Sequence, residues 1–143
     1  MSVCVFCDII AGRSEASVIY RDSRCMAIMD IYPINAGHVL VIPLDHASDL
    51  AELKSGTGGA LFEAARLVAA AIRQSTVKPD GINLLLADGE AAGQEVSHVH
   101  LHVLPRFRGD GFGHKFPPHY GRRPSREELD GVAATIRTSL ASA

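Results

Sequence analysis

At 143 residues the chain is long enough for one domain that buries roughly two-thirds of its unfolded surface, so it needs no disulfide to fold. Its 47% hydrophobic and 21% charged composition is that of an ordinary water-soluble domain, and no apolar run approaches the roughly 20 residues of a membrane span. A formal net charge of −2 with scattered basic residues disfavours nucleic acid as a partner, while an anionic small molecule held by local donors stays open.

The opening Met1-Ser2-Val3-Cys4 lacks a signal-peptide pattern, and the cysteines number three. A cytoplasmic location with reduced thiols is therefore the expectation. Cys4-Val5-Phe6-Cys7 has the C-x-x-C spacing of a zinc half-site. The same spacing suits two reduced thiols packed without metal or, with less support from its surroundings, a redox motif. Val18 to Arg21, Met26 to Ile31 and His38 to Ile42 are rich in Val, Ile and Tyr and are separated by the turn signals Asp22-Ser23 and Pro33 to Gly37. That pattern predicts a meander of short antiparallel strands. Cys25, at a strand entry, reads as a small apolar core residue.

Gly59 to Gln74 carries Leu61, Ala65, Val68 and Ile72 on one helical stripe, which should cover one face of the sheet. Ile82 to Ala87 reads as a buried strand, and Asp88 to Gly93 as a polar, glycine-bounded loop leading toward a row of histidines. Arg106 to Arg123, heavy in Gly, Pro and His, has no predictable regular structure. Ser125 and Glu128 have capping-box spacing ahead of Leu129, Val132, Ile136 and Leu140, which predicts a C-terminal helix. Without repeats or linkers, the chain reads as a single domain over 1–143. Its expected class is α+β, an antiparallel sheet of about five strands with a central helix and a C-terminal helix.

The most informative run is Ser97-His98-Val99-His100-Leu101-His102-Val103. On a strand, alternate side chains share a face, so His98, His100 and His102 line one side while Val99, Leu101 and Val103 face a core. Imidazole changes charge nearest neutral pH, which suits proton transfer, nucleophilic attack or metal ligation. Alternation alone would also follow if histidine merely filled the polar face of an amphipathic strand; three in register favour a site. One catalytic metal shared by all three is disfavoured, because His98 and His102 stand roughly 13 Å apart along such a strand.

Three stretches, CVFCDIIAG, MDIYPINAGHVLVIPLDH and GINLLLADGEAAGQEVSHVHLHVLPR, together resemble the histidine-triad (HIT) family in its nucleotide-binding, Hint-like branch and its bacterial zinc-containing type. The resemblance runs on to the RFRGDGFG segment and leaves only the final helix without a distinctive motif. It implies a nucleotidyl hydrolase or transferase that binds a purine nucleotide or nucleotide conjugate, reacts at the α-phosphorus, and works as a homodimer. By the same resemblance His100 is the nucleophile, His102 binds a phosphate oxygen or the leaving group, and His38 is a further histidine facing the site. Gln94 matches a glutamine of the phosphate region, and Asp30 an aspartate that accepts hydrogen bonds from the ribose hydroxyls. Taken alone, Asp30 also reads as a strand-end turn residue. Phe6, Ile9, Ile28, Met29 and Ile31 match the base slot, although by themselves they read as ordinary core residues. Cys4, Cys7, His46 and His98 match a structural zinc site, two thiolates and two imidazoles being a closed tetrahedral set. No organic cofactor is implied.

Two residues depart from the pattern: Glu95 stands where many relatives have serine, and Asp88 where they often have asparagine. Each carboxylate would repel a substrate phosphate by about 1 kcal/mol in water at 4 Å. They motivate an alternative, a nucleotide-binding or interaction module with little catalysis, against which an intact His100 argues. A transferase passing the nucleotide to an acceptor other than water is the weaker rival, since such relatives often carry glutamine at the position of His102. Phosphoramidates of nucleosides and dinucleoside polyphosphates are the two substrate classes the resemblance offers.

Overall fold

The structure, a computed structural model, describes residues 4–143. Its first unit, ending at Phe112, is built on a five-stranded antiparallel sheet. The strands are β1 (Val18–Arg21), β2 (Cys25–Met29), β3 (Val39–Pro43), β4 (Gly81–Leu86) and β5 (Leu101–Arg106), in the spatial order β1-β2-β3-β5-β4. A short helix, α1 (Val5–Ile10), precedes the sheet and a long one, α2 (Thr57–Gln74), crosses between β3 and β4. The expected α+β class, strand meander and central helix are all present, with strand ends shifted by a residue or two.

Side-chain alternation sorts the sheet residues onto two faces. Cys25 and Ala27 of β2, Val39 and Val41 of β3, and Val99, Leu101 and Val103 gather with Leu61, Ala64, Ala65, Val68 and Ile72 of α2 in one core cluster. Burying each large aliphatic side chain there contributes about 1.5–3 kcal/mol. The intervening residues Met26, Ile28, Leu40 and Ile42 face the other way and gather around Phe6 of α1. That second face is the one on which the histidines stand. Helix α1 has its own signal, Phe6, Ile9 and Ile10 at i, i+3 and i+4, all belonging to or packed on this cluster. Cys4 is its N-cap, with Sγ accepting the Cys7 N–H at 3.5 Å.

The histidine row is only partly a ladder strand. Pairing with β3 begins at Leu101, where Leu40 lies opposite His102 and Val39 opposite Val103. His98 and His100 precede it in an extended segment tied elsewhere: Val99 N–H donates to the Ala47 carbonyl at 2.8 Å and His98 N–H to Val96 at 2.8 Å. The alternation survives because the backbone stays extended, so both faces continue past the end of the ladder.

The second unit, Gly113–Ala143, holds α3 (Arg126–Leu140). The capping box forms as its spacing predicts: Ser125 Oγ accepts the Glu128 N–H at 3.1 Å and the Glu128 carboxylate accepts the Ser125 N–H at 2.7 Å. Leu129, Val132, Ile136 and Leu140 are exposed. No helix among the described residues is long and apolar enough to cross a membrane.

Candidate functional site

Two clusters of ligand-type side chains lie along the histidine face. The first joins the N-cap of α1 to the segment before β5: Cys4, Cys7, His46 and His98 present donor atoms all within 4.8 Å of one another. His98 Nδ1 lies 3.4 Å from Cys4 Sγ, 3.6 Å from Cys7 Sγ and 3.1 Å from His46 Nδ1, and His46 Nδ1 lies 3.4 Å from Cys7 Sγ. Ordinary zinc–ligand lengths on a tetrahedron put N···N at about 3.3 Å and S···N at about 3.6 Å. The four residues therefore have both the chemistry and the spacing of a structural zinc set. The remaining nitrogen of His98, Nε2, lies 3.0 Å from the Pro43 carbonyl. A carbonyl only accepts, so Nε2 carries the proton and Nδ1 offers its lone pair to the cluster. Burial pushes the His98 pKa down, which keeps that lone pair unprotonated near neutral pH.

His100 is fixed by the same logic in the opposite sense. Its Nδ1 sits 2.8 Å from the backbone carbonyl of His98, so Nδ1 carries the proton and Nε2 carries the lone pair. Among the described residues Nε2 takes no hydrogen-bond partner, and no fully buried side-chain nitrogen there is left without one. His100 as a whole is 5% exposed. Phe6 holds the ring edge-on, at 5.3 Å between centroids, and holds His98 likewise at 5.7 Å. A buried imidazole held at one nitrogen and bare at the other is the form a nitrogen nucleophile needs.

The second cluster is Asp30, His38 and His102. The Ile34 backbone N–H donates to His38 Nδ1 at 3.1 Å, which leaves the His38 proton on Nε2. That Nε2–H donates to His102 Nδ1 at 2.9 Å, which in turn places the His102 proton on its Nε2. The chain Ile34–His38–His102 thus ends in an N–H donor adjacent to His100, whose ring centroid is 4.9 Å from that of His102. The same chain argues against a metal here, since a neutral His38 has no lone pair left at Nε2. Burial, with His100 and His38 adding to it, pushes the His102 pKa down to about 4. His38 is also lowered by burial, against an opposing pull from the Asp30 carboxylate 3.5 Å away.

The remaining expected site residues are placed unevenly. Phe6, Ile9 and Ile28 share the histidine-face cluster, whereas Met29 packs against the α2-side cluster and Ile31 is 80% exposed. One step of strand alternation separates Ile28 from Met29, which sends the latter to the opposite face. Asp30 Oδ1 accepts the Tyr32 N–H at 2.8 Å, an Asx turn, while its other oxygen faces His38. Gln94 braces its loop: its amide donates to the Ser48 and Val96 carbonyls and accepts the Gly89 N–H, all within 3.0 Å. Asp88 accepts the Leu50 N–H at 3.0 Å, and Glu95 is exposed.

Asn35, Asp110, Arg106 and Gly37, to which the sequence gives no site role, position the second cluster. Asn35 donates to the Pro105 carbonyl and to Asp110, both at 2.8 Å, clamping the loop that carries the Ile34 N–H. Arg106 pairs with Asp110 at 2.7 Å and holds that carboxyl well below the usual carboxylate range, with backbone N–H groups assisting. Gly37 enters His38 at φ +86°, with Pro105 and Val77 so close that an added Cβ would meet them at 3.2–3.3 Å.

The HIT domain model matches residues 11–109. The chain is 38% identical over 140 residues to the protein named hit of Bacillus subtilis, covering 97% of this chain and 95% of that relative. A zinc-bound histidine-triad family protein from Mycobacterium smegmatis, known as a crystal structure, aligns at 38% identity and a TM-score of 0.74, over 95% of this chain and 96% of that one. The adenylylsulfatase HINT3 of Arabidopsis thaliana is 39% identical over 107 residues, 75% of this chain and 54% of that relative. With most of its length matched by the family model and by relatives above a third identical, the chain belongs to the HIT family, which includes nucleotide-binding proteins and hydrolases.

Proposed function

We propose that this protein is a nucleotidyl hydrolase or transferase that cleaves purine nucleotide conjugates at the α-phosphorus through a covalent nucleotidyl-histidine on His100. The observation that carries the reading is the proton arrangement: the His98 carbonyl takes the Nδ1–H of His100, leaving the lone pair on Nε2. In the first step Nε2 attacks the α-phosphorus, a P–N bond forms, and the bond to the leaving group breaks with its electron pair. The leaving group takes up a proton. In the second step water attacks the phosphorus, the P–N bond breaks, and the nucleoside monophosphate leaves with His100 neutral again. Splitting one displacement into two lowers each barrier.

His102, neutral and donating from Nε2, is the group that meets a non-bridging oxygen or the leaving group, where donors contribute most to acceleration. His38 positions His102 and Asp30 takes the ribose hydroxyls, with Phe6, Ile9 and Ile28 against the base. Met29, Ile31, Gln94, Asp88 and Glu95 complete the set that the resemblance assigns to binding. Of these, Gln94 and Asp88 spend their hydrogen bonds on backbone, so their part would be to shape the loop.

Cys4, Cys7, His46 and His98 would hold one structural zinc ion, which when bound supplies a rigid four-coordinate anchor. The metal-like spacing of the donors supports this. Metal analysis should give one zinc per chain and less than half of that in Cys7→Ser; wild-type protein that refolds fully with no metal uptake would remove the assignment. The working unit is taken to be a homodimer, as the family resemblance implies, and its location the cytoplasm, as the cysteine usage and the N-terminal sequence suggest.

The test is a panel of adenosine phosphoramidate, dinucleoside polyphosphate and adenylyl sulfate, the last chosen because one relative is named for it. Turnover of at least one member, lost in His100→Ala while nucleotide binding persists, is the expected result. Nucleotide binding with no turnover of any member by the wild type would favour the binding-module alternative.

A further inference from the structure

The first cluster reaches His100 through one residue. His98 offers Nδ1 to the Cys4–Cys7–His46 group, donates Nε2–H to Pro43, and through its backbone carbonyl receives the Nδ1–H of His100. It is fully buried, so its ring and its carbonyl are held by the same packing. We infer that ligation of His98 positions the nucleophile: a metal-held His98 ring fixes the carbonyl that selects which nitrogen of His100 bears the proton. This rests on the reading of His100 as nucleophile and adds a role for the metal centre beyond stability.

Competing tautomers connect the ligand histidines to His100. Nδ1 of His46 and Nδ1 of His98 lie 3.1 Å apart, a distance at which two lone pairs repel unless a cation or a proton sits between them. With metal, both lone pairs are satisfied and the His98 ring is pinned from both nitrogens. Without it, the pin on Nδ1 reduces to a single hydrogen bond from His46, an exposed residue, or to a thiol proton. Turning the His98 ring leaves its carbonyl in place, but a shift of the backbone at His98 or His46 moves it away from His100 Nδ1, because the peptide that carries this carbonyl donates its Val99 N–H to the Ala47 carbonyl beside His46. The His100 proton can then migrate to Nε2, and the lone pair is turned inward, where it cannot reach a phosphorus. Cys4, Cys7 and His46 are thus positioning residues for His100, to which none of them hydrogen-bonds directly.

The experiment is nitrogen-15 NMR on protein labelled at histidine, at one fixed pH, reading which ring nitrogen of His100 is protonated. Zinc-loaded protein should show one tautomer, protonated at Nδ1. After chelation, or in His46→Ala, the His100 signal should become a mixture of both tautomers, and re-addition of zinc to the chelated protein should restore the single form. A folded metal-free protein whose His100 stays wholly Nδ1-protonated overturns the inference. If the metal-free forms unfold, the reading moves to cadmium-exchanged protein, which stays ligated with longer bonds. There the His100 Nδ1 resonance should move more than that of His38, a residue as deeply buried but outside the centre, and equal or absent movement overturns the inference. Failure of the catalytic reading is distinguishable: no phosphorus–histidine adduct would form in the zinc-loaded protein, while the tautomer response to metal stayed intact.

Discussion

Replacing His102 by asparagine isolates the charge cost of burying an imidazole at the end of the Ile34–His38–His102 chain. In the folded protein burial, then His100 and His38, bring its pKa down from 6.5 to about 4. In the unfolded chain the same group takes up a proton as pH falls through about 6.5, so below that value the unfolded state binds more protons than the native one. Stability contributed by a neutral His102 is therefore complete above about pH 6.5 and is lost progressively down to about pH 4. At roughly 1.4 kcal/mol per pH unit the full loss is about 3 kcal/mol. Asparagine sets Oδ1 where the ring had Nδ1, so the acceptor for the His38 Nε2–H is kept while the titration is removed. Urea denaturation of both proteins between about pH 7.5 and about pH 4.5 is the assay. The stability difference should shift in favour of the variant by about 2–3 kcal/mol across that range. Parallel curves would refute the reasoning, since they would mean that His102 titrates in the native state as it does in the unfolded one.

Phe6→Ala removes a side chain that is 6% exposed and that stands edge-on to both His98 and His100. We expect a loss of about 3–5 kcal/mol in a denaturation experiment, together with a lowered turnover that fails to recover at temperatures where the variant is fully folded. Asn35→Ala frees the loop from Pro105 and Asp110, so hydrogen exchange at the Ile34 amide should quicken well before that of the strand amides, with the fold retained.

The fold was legible in sequence wherever one periodicity dominated. Val18 to Arg21 reads as a strand and is one to the residue, and the stripe Leu61, Ala65, Val68 and Ile72 became the buried face of α2. The capping box at Ser125 formed because its two hydrogen bonds need only local spacing. Helix α1 went unread because Cys4-Val5-Phe6-Cys7 also spells a ligand pair, and the i, i+3, i+4 apolar signal sits in a helix of just six residues. The histidine row gave its two faces correctly, while the start of its ladder at Leu101 depended on where Ala47 and Val96 take the backbone hydrogen bonds.

Site residues were legible to the extent that they are titratable and clustered. Cys4, Cys7, His46 and His98 come together across 94 residues of sequence, and His38 reaches His102 from the residue just before the neighbouring strand β3. What the sequence left hidden is the supporting layer. The His98 and Pro43 carbonyls and the Ile34 amide set every tautomer in the row, yet backbone groups carry no residue identity to read. Asn35, Asp110 and Arg106 sit in turn-like or irregular sequence where polar residues are common, so nothing in pattern marks them as a clamp. Met29 shows the opposite limit, because strand alternation packs it against the α2-side cluster although its neighbour Ile28 faces the histidines.

On the proposed mechanism Nε2 of His100 forms the bond to the α-phosphorus. Rapid acid quench during turnover of an adenosine conjugate, followed by tandem mass spectrometry of the peptide spanning His98 to His102, tests it most directly. An adenylyl group on His100 that disappears in His100→Asn is the expected result. An adduct on His98 or His102 instead, or full turnover in a variant without His100, would contradict it.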